Sequence, residues 1–336
     1  MGGAARAAAF VGVATQMAIA PAASVAPDAL RAAYRRPVTI PFPADNLYTP
    51  QKALLGRMLF HDTRLSGSGA LACASCHNAG FGYGDGLPKG LGNDMKPLAR
   101  RSPSIVNGAW GALFMWDGRA ASLEAQALGP IAAATEMNQP LDRLTHALSA
   151  IRGYQALFAA AFPRQAVTPA RIAEAIATYE RTIVSAPAPF DAWVEGDESA
   201  ISAAARRGFA LFNGKARCAL CHAGWYFSDD GFHDIGLPDT DEGRGRIARH
   251  VIKMQHAFKT PGLREITQRG PFMHDGSLPT LEAVVAYYNR GGVDRSSRSE
   301  LIGPLGLASG EQADIVAFLR TLTGSVPPEL VAGLPR

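Results

Sequence analysis

Two stretches can do chemistry that packing alone does not ask for: Cys73-Ala74-Ser75-Cys76-His77 and Cys218-Ala219-Leu220-Cys221-His222. Two thiols three apart on one helical turn can add across the two vinyl groups of a haem, and the adjacent imidazole then ligates its iron. The two copies use all four cysteines of the chain, so no thiol is left for a disulfide. The competing chemistry is a four-thiolate zinc cluster. A histidine directly after each pair, and one pair in each half of the chain, point instead to two covalently bound haems c.

Such sites need elements to carry them. Thr49-Pro50 reads as an N-cap with proline at the first helical position, and Leu54, Leu55, Met58 and Leu59 form one apolar stripe, so a helix delivers the chain to the first motif. The glycines at 80, 82, 84, 86, 90 and 92 let the backbone after His77 wrap closely around a flat cofactor. Helical patterns follow at 122–128, around 141–162 and, most clearly, at 169–184 behind Thr168, with Ile172, Ile176, Tyr179 and Ile183 on one face. Pro187 and Pro189 then punctuate the chain. A helix through 206–212 leads to the second motif, a polar loop occupies 228–246, and further helices are expected at 280–289 and 309–322. Residues 28–43 read as an extended lead-in. The expected fold is mostly α, with two cytochrome c-like helical domains, 45–187 and 190–325, each binding one haem.

A chain of 336 residues with 47% hydrophobic content suits two globular domains, and a formal charge of +4 without a basic run argues against nucleic acid. Residues 1–26 read as an export signal, with Arg6 ahead of an Ala-rich apolar run at 7–20 and small residues at Ala20 and Ala22 for cleavage. Thr15, Gln16 and Pro21 break that run short of a membrane span, which disfavours an uncleaved anchor. The expectation is a periplasmic protein with no integral membrane domain.

The two motifs, with Phe114-Met115-Trp116-Asp117-Gly118-Arg119-Ala120 and Met273-His274-Asp275-Gly276, resemble the bacterial dihaem cytochrome c peroxidase and MauG family over residues 49–323. The resemblance implies a haem-dependent peroxidase whose first haem meets hydrogen peroxide and whose second stores or relays electrons. It makes His77 and His222 the proximal iron ligands and Trp116 the tryptophan between the haems. It places Gln126 and Glu136 in the distal pocket, Glu136 moving the proton that lets the O–O bond break. Where many family peroxidases cap the first iron with a histidine, this chain has Asn93; where they ligate the second with methionine, it has Tyr288, as MauG does. Helix periodicity alone leaves Tyr287 and Tyr288 open as core residues.

These traits imply the MauG-like branch, in which peroxide takes both irons to Fe(IV) and these oxidise a protein or small-molecule donor. The alternative is a conventional cytochrome c peroxidase fed by a small cytochrome or cupredoxin. Two departures narrow the reading. Ala216 stands where MauG has a surface tryptophan, so MauG's tryptophylquinone-precursor substrate is not implied. Arg101 and Arg269 stand at the family's calcium-ligand positions, and two guanidiniums oppose a divalent cation, so calcium is expected to be weak or absent. His233 and His274 lie in family-like segments without an assigned role.

Overall fold

The computed structural model describes residues 27–324 and 333–336. The predicted leader at 1–26 lies outside the described residues. Among the described residues the helices are α1 (Pro27–Ala32), α2 (Pro50–Phe60), α3 (Cys73–Cys76), α4 (Leu123–Ala132), α5 (Leu141–Ala150), α6 (Arg152–Ala161), α7 (Pro169–Arg181), α8 (Pro189–Val194), α9 (Ala203–Asn213), α10 (Leu281–Arg290) and α11 (Ser309–Arg320). One antiparallel pair of two-residue strands, β1 (Phe232–His233) and β2 (Phe258–Lys259), completes the regular structure. Helices start where the sequence marks them: the hydroxyls of Thr49, Thr168 and Thr280 accept from the N–H groups of Lys52, Arg171 and Ala283 at 3.1, 3.3 and 3.1 Å. Each such cap is worth about 1 kcal/mol.

Two main apolar cores form. Leu55, Leu59, Ile131, Leu144, Ile172 and Ile176 from α2, α4, α5 and α7 are fully buried in the first. The second is built on aromatic rings, with Phe318 of α11 at 5.1 to 6.1 Å from Phe190, Phe209, Phe212 and Phe227. Truncating a buried ring of this kind costs about 3–5 kcal/mol. In both halves the helix ahead of the haem motif crosses a later helix at a glycine. A Cβ on Gly56 of α2 would lie 1.9 Å from the Ala175 carbonyl oxygen, and one on Gly208 of α9 would lie 1.9 Å from that of Asp314. Only glycine permits backbones to approach so closely.

The halves share a second device. Phe114 bridges to Ala120 and Phe272 bridges to Leu278, closing two matching turns. Met115 and Met273 have φ of 70° and 71°, and Gly118 and Gly276 have φ of 69° and 68°. Trp116 and His274 occupy the same place in these turns, and α4 and α10 follow with Leu-Glu-Ala at their starts. This internal duplication is the organising feature of the fold.

Three expectations change. The lead-in is not simply extended: Leu30 of α1 and the fully buried Tyr34 insert into the second core, and the Tyr34 hydroxyl donates to Asn213 Oδ1 at 2.7 Å. The pattern at 141–162 divides into α5 and α6 at Ile151, whose extended backbone (φ −90°, ψ 115°) interrupts the helix, and Gly153 at the start of α6 donates to the Arg336 carbonyl at 3.0 Å. The helix expected at 169–184 stops at Arg181, since Asn107 takes over the next residues: its N–H donates to Ile183 O at 2.9 Å and its side chain accepts from Ser185 N at 3.0 Å.

Candidate active site

A cavity of about 770 Å³ runs between the halves and is lined by both Cys-x-x-Cys-His motifs, Trp116, Gln126, Glu136 and Tyr288. Cys73 and Cys76 lie on the single turn α3, and Cys218 and Cys221 bracket a matching tight turn. His77 Nδ1 donates to the Tyr83 carbonyl at 3.1 Å, and His222 Nδ1 donates to that of Phe227 at 2.9 Å. Each bond fixes the tautomer that leaves Nε2 as a lone-pair donor, the form an axial iron ligand must have. Burial keeps both imidazoles below their ordinary pKa, hence neutral. This donor set fits two haems. It does not fit zinc: among the described residues the one convergent group of possible metal ligands is Cys221, Asp229 and His233, not four thiols.

Glu136 sits in a turn folded back on α4, where Met137 N–H donates to Pro130 O and Gln139 N–H donates to Ile131 O, at 3.0 and 2.8 Å. The loop after the first motif leans on this turn, with Asn93 N–H donating to Thr135 O at 3.0 Å. A Cβ on neighbouring Gly92 would lie 1.9 Å from that same oxygen, so the contact requires glycine. Asn93 is thus held through its backbone beside Glu136. Burial pushes the Glu136 carboxyl above its usual range, against the pull of Arg119. Gln126 Nε2 reaches Met115 Sδ at 3.8 Å on the same side.

Trp116 stands between the two halves. Its Nε1 donates to the Arg101 carbonyl at 3.0 Å, its own carbonyl accepts from Lys259 N at 2.8 Å, and its ring meets the His274 edge at 6.3 Å. His274 is buried, stacks on Phe258 at 3.5 Å, and its carbonyl accepts from Arg101 N at 2.9 Å. Arg100 fastens the turn from outside, reaching Asp117 at 2.8 Å and gripping Asp241 through Nε and Nη2 at 2.6 and 2.9 Å. On the second side the Tyr287 hydroxyl donates to Ile235 O at 2.9 Å, whereas the Tyr288 hydroxyl has no hydrogen-bond partner among the described residues. Tyr288 feels both Cys221 and Cys218, and burial pushes its phenol well above the ordinary value.

The cavity is therefore two haem cradles separated by an aromatic wall. A family model described as di-haem cytochrome c peroxidase matches residues 50–199. The methylamine utilization protein MauG of Methylorubrum extorquens is 52% identical over 297 residues, covering 88% of this chain and 84% of that one. The chain belongs to the dihaem cytochrome c peroxidase family, on its MauG-like branch. A cytochrome c551 peroxidase of Nitrosomonas europaea is 33% identical, covering 85% of each chain. Among solved structures, a MauG-like protein associated with microbial copper homeostasis superposes with a TM-score of 0.79 at 32% identity, covering 86% of this chain and 94% of that one. Like its family, this dihaem peroxidase carries two c-type haems.

One group in the peroxidase site escaped the sequence. Glu180 is buried at 4% exposure and lines the cavity near Cys73; burial drives its carboxyl up to about 8. It follows Ile176 by one turn, at the border of the apolar stripe of α7, where a lone glutamate reads as a solvated charge. His233, which the sequence marked without a role, pairs with Asp229 at 2.8 Å, which raises it to about 10, and lies against Cys221. At the calcium-ligand positions, Arg269 Nη1 donates to the carbonyls of Gly262 and Arg264 at 2.6 and 3.0 Å, and buried Arg101 faces it. Burial, then Arg101, pulls Arg269 down to about 10. Ala216 is buried at 4% exposure.

Proposed function

We propose that the chain is a periplasmic peroxidase in which peroxide reacts at the His77 side and the Tyr288 side holds the second oxidising equivalent. What carries the reading is the single cavity joining a desolvated carboxyl at Glu136, the indole of Trp116 and the hydroxyl of Tyr288, which has no hydrogen-bond partner among the described residues. Haem, when bound, supplies the iron that accepts peroxide and stores oxidising equivalents. Glu136 takes a proton from the inner peroxide oxygen and delivers it to the outer one, so that the departing oxygen leaves as water. The Gln126 amide orients the peroxide. Trp116, its Nε1–H held by the Arg101 carbonyl, carries electrons between the halves. The division of the chain near Pro187 and export through the leader belong to the same reading.

Tyr288 is the proposed sixth ligand because Tyr287 already spends its hydroxyl on Ile235. The protein alone favours a protonated phenol, so ligation draws on the charge of the iron. Tyr288→Phe should abolish a phenolate-to-iron charge-transfer band that Tyr287→Phe retains; retention in both would remove the assignment. Arg269, seated on two carbonyl oxygens, takes the place of calcium.

The test is to mix ferric holoprotein with one equivalent of hydrogen peroxide and record Mössbauer spectra. Loss of the ferric signal at both irons without pre-reduction supports the proposal. No reaction until the second haem is reduced would instead favour a conventional cytochrome c peroxidase supplied by a small redox protein.

A further inference from the structure

Residues 244–256 form a loop pinned at its neck. Gly243 bridges to Ala257, Arg244 N–H donates to Ala257 O at 2.8 Å, and His256 N–H donates to Glu242 O at 2.9 Å. Within the neck the Arg244 guanidinium lies 4.0 Å over the Phe232 ring and donates to the Asp117 carbonyl at 2.9 Å. The loop is thereby fastened to the turn that carries Trp116. Loops closed in this way are compact and frequently functional.

Its outer surface combines two features. Ile247, Val251 and Ile252 are 52%, 48% and 62% exposed, a dense apolar patch within six consecutive residues. Around them Arg246, Arg249, His250 and Lys253 are also exposed, and residues 243–254 hold four arginine or lysine side chains, one histidine and no acidic residue. Of the acids nearby, Asp241 is gripped by Arg100 and lies 3.4 Å from Arg246, Glu300 stands 3.7 Å from Lys253, and Glu242 is exposed at the neck. The inner side matters equally, because Arg246 and Ile247 line the same cavity as His222 and Tyr288. Anything seated on the loop comes to rest at the edge of the cavity that holds both haem motifs.

We propose that this loop is the docking surface for a protein redox partner whose contact face carries an acidic rim around an apolar centre. An apolar centre with a charged rim is the usual build of a transient protein interface, and opposite charge steers the encounter. The proposal rests on the electron-exchanging role given above to the second haem site. Each encounter oxidises the partner by one electron and reduces that site by one. Two encounters, with two protons from solvent, balance the reduction of one peroxide to water.

The test titrates holoprotein calorimetrically with a flavodoxin, an acidic protein with an apolar cofactor edge, and with lysozyme as a basic control, at low and high salt. The flavodoxin should bind at low salt and weaken steeply as salt rises. R249E/K253E should weaken it at least about tenfold and flatten the salt dependence, while lysozyme gains. V251S/I252S should weaken it with the salt dependence unchanged. Equal affinity and salt slope in the charge-reversed and parent proteins would overturn the proposal. So would substitutions that dissolve a dimer in sedimentation, or abolish binding to phosphatidylglycerol vesicles, while leaving flavodoxin binding intact. The peroxide response of the Soret band is followed in the same samples. A holoprotein inert to peroxide that still binds as expected refutes the peroxidase reading and leaves the docking surface standing.

Discussion

Replacing Glu180 by glutamine should make the protein more stable at neutral pH, by an amount that vanishes in acid. The carboxyl is 4% exposed, and its Oε2 is buried with no hydrogen-bond partner among the described residues. Burial raises its pKa from 4.5 to about 8, with Glu124 pushing the same way and Arg181 against. The folded state therefore holds this proton to higher pH than the unfolded chain does. Below pH 4.5 both states are protonated and the group costs nothing; from there to about pH 8 stability falls as pH rises, and above that the loss is complete. At ~1.36 kcal/mol per pKa unit, the gap between 4.5 and about 8 sets an upper bound of about 5 kcal/mol. The assay is urea unfolding of holoprotein, parent and E180Q, across this pH range. Other titrating groups are common to both proteins and cancel in the difference. Parent and variant curves that stay parallel throughout would refute the argument that this carboxyl is buried uncharged.

Glu136→Gln should slow the reaction with peroxide by about 10²–10⁴-fold while leaving haem attachment intact. Because the ionised carboxylate accepts the peroxide proton and burial raises its pKa, the parent rate should fall as pH drops through a range above that of ordinary glutamates. Stopped-flow rates that fall only in the ordinary range, or an unimpaired E136Q, would exclude Glu136 as the proton carrier. Arg269→Ala strips the donors from the Gly262 and Arg264 carbonyls and should cost about 3 kcal/mol in thermal or urea unfolding. Calcium should not raise the melting temperature of the parent protein, and elemental analysis finding one calcium per chain would contradict Arg269 as its replacement.

The haem motifs were legible because their chemistry is local: five consecutive residues hold both thiols and the ligand. Helix starts were legible for the same reason, since Thr49, Thr168 and Thr280 each act on an N–H three residues away. Contacts that close over long sequence distances were not. Tyr34 reads as a residue of a Pro-rich lead-in until Asn213 and the second core claim it. Nothing around Thr135 announces that Gly92 will press against its carbonyl and so seat the loop beside Glu136.

The duplicated turn was visible in principle, as Phe-Met-Trp-Asp-Gly against Phe-Met-His-Asp-Gly, but its meaning lies in the pairing of the two copies. Aligned on those turns, Leu123-Glu124-Ala125 matches Leu281-Glu282-Ala283, and the same register sets Pro130 of α4 against Tyr288 of α10. Proline offers neither a ligand atom nor an N–H, whereas tyrosine at the equivalent place offers a hydroxyl free of hydrogen bonds among the described residues. One scaffold repeated twice thus yields two unlike sites. In the proposed reading the Pro130 side has no side-chain ligand and can admit peroxide, while the Tyr288 side is capped. Trp116 and His274, the two midpoints of the same turn, meet edge to face at the boundary. In that reading, the asymmetry between the two haem sites comes down to which residue each copy carries at these two matched positions.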